Sequence, residues 1–436
     1  MKMEQKGKIG SATWTLQEGV LTIGAGEYEA LDNIIWPWKT WADQIVHIDG
    51  TAPFVAKHDF SYAFCDLIHV KSIDLSGWDV SQVTSMNELF AKDSSLESLQ
   101  ISNWTPIKLK SLDYAFQGCY SLLNLDIAPW QTPCLKSLKG TFEECLGLKT
   151  LDLSTWNTAK ICDLKDTFLG CAGLTTLKIK DWDTSNVICL DNTFKGCKAL
   201  TTLDLSSWDV SSVQTMNSTF ALCANLEQIE ISHWDIGQVH SLFGLFHGCR
   251  TLKTIDLTHW NTSNVERMGG LFYRCHHLES LDLSTWDTSK VVDMANLFES
   301  CWSLKALNVA SWNVEKVQFL QKAFCECHRL TSLNLSKWQP LEVKNLWKMC
   351  YGCFDLRSLN MTKWNTPKVS DWSDIFSECT SLQILTIPRN KELMFEDFLK
   401  DSGWKKAKEN RYGQEGRVYE NMAGAKINLE IIQKTF

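Results

Sequence analysis

The stretch from Leu281 to Val309, LDLSTWDTSKVVDMANLFESCWSLKALNV, decides the fold, because its pattern returns every 26 residues along most of the chain. Its tryptophan belongs to a column with this constant spacing. The column consists of Trp78, Trp104, Trp130, Trp156, Trp182, Trp208, Trp234, Trp260, Trp286, Trp312, Trp338 and Trp364. A fixed period of this length is typical of a solenoid, in which each repeat stacks on its neighbours. The sequence therefore predicts a stack of about twelve coils.

Within each repeat, apolar residues recur at fixed distances after the tryptophan. They lie at positions five, eight, twelve, fifteen, eighteen, twenty-one and twenty-three, with Phe at twelve and Leu at eighteen in nearly every coil. Spacings of three and four predict a short helix or 3₁₀ segment, and the final spacing of two predicts a strand. Each coil is therefore predicted to contain a strand, a turn that carries Trp, and a short helix, with the indole rings stacked from coil to coil.

Polar residues directly after the tryptophan predict a turn or a helix start. Asp, Asn, Ser and Thr accept backbone N–H bonds at such places. We assign cap or turn roles to Asp79, Asp183, Asp209, Asp287 and Asn261. The indole N–H is a further donor for this turn, since the ring fills core while its nitrogen donates.

The chain has 17 cysteines, and most of them form a second column, fifteen residues after each tryptophan. Its members are Cys119, Cys145, Cys171, Cys197, Cys223, Cys249, Cys275, Cys301, Cys327, Cys353 and Cys379. Only Asp93 interrupts the column. A repeated buried position predicts packing, with Cys as a small apolar filler. Free thiols in this number fit a reducing compartment best.

The run LKTLDLSTW, Leu148 to Trp156, has the strand pattern of leucine-rich repeats. The Leu281–Val309 repeat resembles the 26-residue repeat of bacterial surface proteins, a branch of the BspA-like leucine-rich-repeat family. The resemblance covers roughly residues 52–388, and residues 13–38 and the C-terminal segment resemble the modules that open and close such proteins. It implies an α/β leucine-rich-repeat solenoid with a parallel β-sheet on the concave face, and an adhesin or other binding protein at the cell surface.

Three parts are predicted along the chain. Residues 1–51 form an N-terminal cap with a hairpin and a Trp-rich segment, residues 52–388 form the solenoid, and residues 389–436 form a C-terminal cap. In the last part, ELMFEDFLKDSGW (392–404) has the pattern of an amphipathic helix stopped by Gly403.

Composition and motifs narrow the functional classes. The net charge is −8 and no basic patch stands out, which disfavours nucleic acid as a partner. No apolar run is long enough for a transmembrane segment. There is no phosphate-binding loop or catalytic motif, so we expect a non-enzymatic protein without cofactor or metal. A hydrolase that uses surface carboxylates is the alternative from another class.

Two features of the sequence give conflicting indications of the cellular location. The resemblance implies a cell-surface or secreted protein, whereas the N-terminal sequence has no secretory h-region, which makes the cytoplasm the alternative. An intracellular interaction scaffold is therefore the alternative function. We expect a monomer.

A candidate binding surface lies on the outward side of the strands, four residues before each tryptophan. The predicted binding residues are Asp74, Asp126, Asp152, Lys178, Asp204, Glu230, Asp256 and Asp282. Like charges in register repel each other, so the column carries a cost that core packing does not explain. We predict that it binds a protein or glycan partner of cationic or polar character. The alternative is a role in solubility.

Two further groups could bind metal. Cys325, Cys327, Cys350 and Cys353 form C-x-C and C-x-x-C on adjacent coils, a zinc-ligand spacing. Three of them, however, occupy regular core columns, which favours packing. His233 and His259 share one column, which permits a metal or pH-sensitive patch, although surface histidines are commonly neither.

Overall fold

A computed structural model describes residues 4–29, 36–387, 405–406, 418–420 and 426–431. The chain divides into two compact units, residues 1–213 and 214–436. Each unit is a stack of coils. In most coils a short strand lies before the tryptophan, and these strands pair with a neighbouring coil in several separate sheets.

In the first unit the strands are Gln5–Ile9 (β1), Ala12–Gln17 (β2), Val20–Ile23 (β3), Gly26–Glu29 (β4), His47–Asp49 (β5), Phe54–Asp59 (β6), Ser72–Asp74 (β7), Trp78–Ser85 (β8), Ser98–Gln100 (β9), Thr150–Asp152 (β10), Thr176–Lys178 (β11) and Thr202–Leu203 (β12). A 3₁₀ helix spans Pro37–Gln44. In the second unit they are Gln228–Ile229 (β13), Ser280–Asp282 (β14), Ala306–Asn308 (β15), Ser332–Asn334 (β16), Ser358–Asn360 (β17), Ile384–Ile387 (β18), Lys405–Lys406 (β19), Val418–Glu420 (β20) and Lys426–Ile431 (β21).

The strand ladder is parallel and in register with the sequence repeat. Leu151 of β10 pairs with Leu177 of β11, and Leu281 of β14 pairs with Leu307 of β15. Strands β16, β17 and β18 continue this pairing. The predicted leucine-rich-repeat solenoid with parallel strands is confirmed.

The helical segment predicted after each tryptophan is wrong, because this part of the coil is a run of turns. The Glu88 and Phe90 N–H groups donate to Asp113 and Ala115 of the next coil, both at 2.8 Å. The intervening donors bond three residues back, as Leu89 does to Met86. Left-handed φ angles prevent a helix here, since an α-helix needs negative φ throughout. Within the described residues, no α-helix is present, and none long and apolar enough to cross a membrane.

The left-handed residues lie at positions ten and fourteen after every tryptophan of the column. Examples are Asn296 and Ser300, with φ of 56° and 61°, and Gly244 and Gly248. Two such residues per coil reverse the chain on either side of the buried Phe. Because of these reversals, apolar side chains spaced three and four residues apart point to the same side of the coil although no helix is present.

The core consists of stacked columns. Trp286 and Trp312 lie 6.3 Å apart between ring centroids, with planes within 9°, and Trp312 lies 6.1 Å from Trp338. The Trp312 Nε1–H donates to the Leu283 carbonyl at 3.0 Å. Equivalent indole bonds occur in both units, whereas the buried indole N–H groups of Trp78, Trp234 and Trp364 have no hydrogen-bond partner. The predicted stack of indoles that also donate is confirmed for these coils.

The residues after the tryptophans form turns and do not cap helices. The Asp79, Asp183, Asp209 and Asp287 carboxylates and the Asn261 amide oxygen each accept the backbone N–H two residues ahead. Side chains that bond the backbone in this way stabilise turns. Of the two roles predicted for this column, the turn is the one observed.

The predicted N-terminal hairpin is present, since Trp14 pairs with Ile23 and Leu16 with Leu21 across β2 and β3. Strand β3 then pairs in parallel with β5, which continues to β7. The strand ladder therefore begins inside the segment assigned to the cap. At the other end β18 pairs with β21, and β20 is antiparallel to β19 and β21. The helix predicted for 392–404 lies outside the described residues.

Candidate binding face

The strand face consists of the outward side chains of the strands that precede the tryptophans. Alternation along the strand creates it, because successive side chains point to opposite sides. In β14, Leu281 is buried, whereas its neighbours Ser280 and Asp282 are exposed. The predicted acidic column lies on this face in both units.

The acids of this column are also hydrogen-bond acceptors for the turn that follows each strand. Asp256 accepts the Thr258 backbone N–H at 3.0 Å and its hydroxyl at 2.7 Å. The same bonds join Asp152 to Ser154, Asp204 to Ser206 and Glu230 to Ser232. Asp74 and Asp282 accept the N–H of Ser76 and Ser284. Turn formation therefore supplies a local reason for the column that core packing does not.

These hydrogen bonds keep the carboxylates ionised. The hydroxyl and N–H of the residue two ahead lower the pKa of Asp204, Glu230 and Asp256 below their ordinary values. For Asp152 the Lys178 ammonium is the largest cause, and it lowers the pKa to about 2. Asp152, Asp204, Glu230 and Asp256 are thus negative at neutral pH.

In the first unit, lysines neutralise part of the column. Lys178 lies 2.7 Å from Asp152, and Lys180 lies 3.1 Å from Asp204, measured between nitrogen and oxygen. Lys178, the one cation among the predicted binding residues, therefore forms an ion pair with an acid of the same column. Asp74 and Asp126 lie on earlier coils of the same unit.

In the second unit, the strand face contains an open groove of about 650 Å³. It brings together two of the predicted binding residues, Asp256 and Asp282, with Asn308 of the same column. The other lining residues are Thr254, Ile255, Thr258, Ser280, Leu281, Lys305, Ala306, Leu307, Thr331 and Ser332. The remaining predicted residues, Asp74, Asp126, Asp152, Lys178, Asp204 and Glu230, do not line it.

Sequence reasoning missed the hydroxyl residues of this groove. Thr254, Ser280 and Ser332 occupy position twenty after the tryptophan, one residue before the apolar position twenty-one. The same alternation that exposed the acids also exposes them, so the signal was available. The groove also includes Lys305, whose ammonium lies 2.9 Å from Glu279.

The cysteine column is a hydrogen-bonded ladder. The Cys275 thiol donates to the Phe246 carbonyl at 3.1 Å, and Cys301 donates to Phe272 at 3.1 Å. Burial raises the pKa of these thiols well above the ordinary value. The cysteines are therefore packed fillers, as predicted, and also donors that bind one coil to the next.

Two of the four cysteines considered for zinc belong to the same ladder. The thiols of Cys327 and Cys353 donate to the carbonyls of Phe298 and Phe324. Cys325 and Cys350 are buried and free. Across the described part of the chain, no three His, Cys, Asp or Glu residues are grouped to hold a metal ion. His233 and His259 lie near the acidic column, where each contributes to the lowered pKa of Glu230 and Asp256, respectively.

Comparisons with solved structures give leucine-rich-repeat proteins from bacteria. A protein from Bacteroides ovatus is 16% identical, with 98% of this chain and 99% of that chain covered and a TM-score of 0.43. One from Leptospira interrogans is 13% identical, covers 82% and 89%, and has a TM-score of 0.27. One from Eubacterium ventriosum is 16% identical, covers 88% and 85%, and has a TM-score of 0.27. A search of curated proteins found no match.

One protein family matches the chain repeatedly. Its description is "Mycoplasma protein of unknown function, DUF285", and it matches residues 58–176, 136–254, 162–281, 191–305 and 270–387. Together these overlapping matches span most of the chain. The chain therefore belongs to the DUF285 family, and the BspA-like leucine-rich-repeat assignment predicted from its 26-residue repeat is confirmed.

Proposed function

We propose that this protein is a non-catalytic recognition protein that binds a polar or cationic protein segment or glycan on its strand face. The groove of the second unit supports this proposal most directly. It combines two ionised carboxylates, Asp256 and Asp282, with rows of hydroxyl groups over an apolar floor. Sites of this kind orient a ligand through a few polar groups on a largely apolar surface.

Electrostatics favour a cationic group in the ligand. Asp256 and Asp282 are exposed and ionised, and the one lysine of the groove is paired with Glu279. Ligand ammonium or guanidinium groups would therefore meet unneutralised carboxylates. The hydroxyl groups of Thr254, Ser280 and Ser332 suit a backbone or a sugar, because hydroxyls both donate and accept hydrogen bonds.

Charge removal without loss of the turn tests the proposal. Asn334 and Asn360, in the same column, accept the N–H of the residue two ahead at 3.1 Å. The double variant Asp256→Asn with Asp282→Asn should therefore fold normally while it loses both charges. We expect binding of a fluorescent lysine-serine repeat peptide to weaken about tenfold or more, because each charged hydrogen bond to the ligand contributes about 1 kcal/mol.

The matched control is Asp74→Asn with Asp126→Asn, which removes two charges from the same column outside the groove. We expect it to bind the peptide as the wild type does. A neutral glycan array serves as the second probe. Equal weakening in both double variants would contradict a site in the groove, and a wild-type protein that binds neither probe would contradict the proposed function.

A second candidate, an intracellular interaction scaffold, is supported by the thiol ladder. Its S–H groups act as donors between coils, so the fold uses reduced cysteines. Alkylation of the thiols in protein taken from its native source, before and after unfolding, tests this candidate. Fully reduced cysteines favour it, whereas disulfides or oxidised thiols would contradict it.

A further inference from the structure

Four aromatic rings form a column at the surface of the second unit, one on each of four successive coils, directly after the buried cysteines. Two of them, His276 and His328, are half-buried. The centroids of His276 and Trp302 are 3.7 Å apart, with planes within 2°. Trp302 and His328 are 5.9 Å apart, and His328 and Phe354 are 4.7 Å apart. Trp302 and Phe354 are each 41% exposed.

The fold does not require these rings. In the first unit the same position, sixteen residues after the tryptophan, holds Ser94, Tyr120, Leu146, Ala172 and Lys198. Those coils form the same turns and the same thiol–carbonyl bonds, as Cys145 does to Phe116 and Cys171 to Phe142. Contiguous apolar surface that the scaffold can omit is typical of an interaction site.

Arginine is concentrated beside the rings. All eight arginines of the chain lie at residue 250 or later. Burial is the largest cause of the lowered pKa of His276, and Arg250 and Arg274 are close enough to lower it further. The hydrogen bond from Lys305 is the largest cause of the lowered pKa of Glu279, and Arg329 adds to it. Exposed cations in the columns around the rings are Arg250, Lys253, Arg274, Lys305, Arg329 and Arg357. The acids in the same columns of these coils are Glu279, Glu326 and Asp355.

This surface is therefore positive in a chain whose net charge is −8. Burial also lowers the pKa of His276 and His328, which keeps both rings largely neutral at pH 7. The positive charge then comes from guanidinium and ammonium groups. Arginine and tryptophan are the residue types most enriched at energetically important positions of protein interfaces.

We propose that this surface docks an extended acidic segment of a partner protein that also carries aromatic or aliphatic side chains. We call it the aromatic–arginine column and define it as His276, Trp302, His328 and Phe354 with Arg250, Arg274, Arg329 and Arg357. Guanidinium groups bind carboxylates through two parallel hydrogen bonds. Ring edges carry partial positive charge, which also favours carboxylate oxygens.

The stacking geometry favours a protein segment over a sugar. Sugars pack against the faces of aromatic rings, but the facing sides of Trp302 and His276 cover each other at 3.7 Å. The column presents mainly ring edges to solvent. The aromatic–arginine column shares no residue with the groove, although Lys305 of the groove is its neighbour. This proposal therefore does not depend on the proposed function.

Three labelled peptides test the proposal by fluorescence anisotropy with the full chain. They consist of repeated Glu-Tyr-Asp, repeated Glu-Ser-Asp and repeated Lys-Tyr-Lys. We expect the first to bind, the second to bind about tenfold or more weakly because it lacks apolar side chains, and the third not to bind. Equal binding of the basic peptide would overturn the proposal.

Two double variants locate the site. Trp302→Ala with Phe354→Ala, and Arg274→Glu with Arg329→Glu, should each weaken binding of the Glu-Tyr-Asp peptide by about tenfold or more. The matched control, Tyr120→Ala with Leu146→Ala, removes exposed apolar side chains from the same column of the first unit and should bind as the wild type does. The arginine variant alters exposed side chains only, so it remains informative if the aromatic variant is unstable.

Three other outcomes would overturn the proposal. Peptide binding that both double variants retain would place the site elsewhere. A sulfated oligosaccharide that binds the wild type while the Glu-Tyr-Asp peptide does not would identify a glycan site. Self-association of the wild type, detected by sedimentation and lost in the arginine variant, would identify a second copy of this chain as the occupant.

Discussion

The coils of residues 104–207 and those of residues 260–363 have the same kinds of interior columns but different surfaces. Both contain the Trp, Phe and Cys columns, with indole and thiol donors bonded to the carbonyls of an earlier coil. Their surface residues sixteen positions after the tryptophan differ. The first region has the mixed set Tyr120, Leu146, Ala172 and Lys198, whereas the second has stacked rings with arginine beside them. The comparison teaches that the interior columns specify the fold while the outward columns are free to acquire binding groups.

The largest effect should come from alkali, which acts on the buried thiols that both regions contain. Burial raises the pKa of Cys171 to about 12 and that of most other column thiols well above the ordinary value of 9. Folded thiols therefore stay protonated where unfolded ones ionise, and the free energy of unfolding falls as pH rises from about 9 towards 12. Each buried thiol contributes about 1.4 kcal/mol per pH unit.

Urea unfolding at pH 7, 9 and 10, with a reductant present, measures this fall. The variant Cys275→Ala with Cys301→Ala should show a shallower dependence, because two titrating groups are absent. An unfolding midpoint that does not change between pH 9 and 10 would contradict the assigned role of burial.

The next largest effect is a difference in stability between variants of two tryptophans, Trp302 and Trp312, which lie ten residues apart in the sequence. Trp312 is 1% exposed, stacks on both neighbouring indoles and donates to Leu283. Its replacement by Ala should cost about 3–5 kcal/mol in the free energy of unfolding. Trp302→Ala, at the exposed corner, should cost about 1 kcal/mol or less.

Denaturant unfolding followed by far-UV circular dichroism compares the two variants. If the two variants lose similar free energy of unfolding, Trp302 contributes to the core as Trp312 does. That result would contradict the distinction between interior and surface columns. Binding of the acidic peptide should show the opposite order, with Trp302→Ala more affected than any folded interior variant.

A smaller effect is expected from a single thiol. Cys275→Ala removes the donor to the Phe246 carbonyl and should cost about 1–2 kcal/mol. Cys162 is exposed and lies outside the column, so Cys162→Ala should change stability by less than about 0.5 kcal/mol. In the folded protein, iodoacetamide should modify Cys162 and leave Cys275 unreacted, which mass spectrometry can check.

The smallest effect should come from the strand face of the first unit. The pKa of Asp152 is about 2, so the stability that it contributes is lost as pH falls from about 4 through 2. Solvent screens the exposed pair with Lys178, so Asp152→Asn should cost less than about 1 kcal/mol at pH 7. Thermal unfolding at pH 7 and pH 3 measures the difference. A larger loss at pH 3 than at pH 7 would contradict this sign.

The sequence predicted the columns of the fold better than the path of the backbone between them. Period and alternation alone identified the strands, the stacked tryptophans and the buried cysteines. The short helix predicted after each tryptophan was wrong, because apolar spacings of three and four also arise when left-handed residues reverse the chain. Residue types such as Asn296 and Ser300 do not by themselves indicate a left-handed φ. Only eight of the 24 left-handed positions in these columns are glycine, and the others hold varied residues.

The candidate site was predicted in part for a related reason. Alternation placed Asp256 and Asp282 on the outward side of their strands, and the structure brings both into one groove. The ion pairs of Asp152 with Lys178 and of Asp204 with Lys180 join adjacent coils. They depend on how far each lysine side chain extends, which residue spacing in the sequence does not predict. The exposed ring column was missed because its residues differ from coil to coil, so a search for repeated identities did not find it.

The hydrogen bonds between turns also limit how such a chain can change in length. Glu88 bonds to Asp113 and Phe90 to Ala115, so these donors of one coil are satisfied only by the coil that follows. Insertion of a single residue would displace every later column relative to its partners. Duplication or loss of a complete set of 26 residues would restore every bond. We therefore expect natural length variants of this chain to differ by whole coils, with phase preserved at each junction.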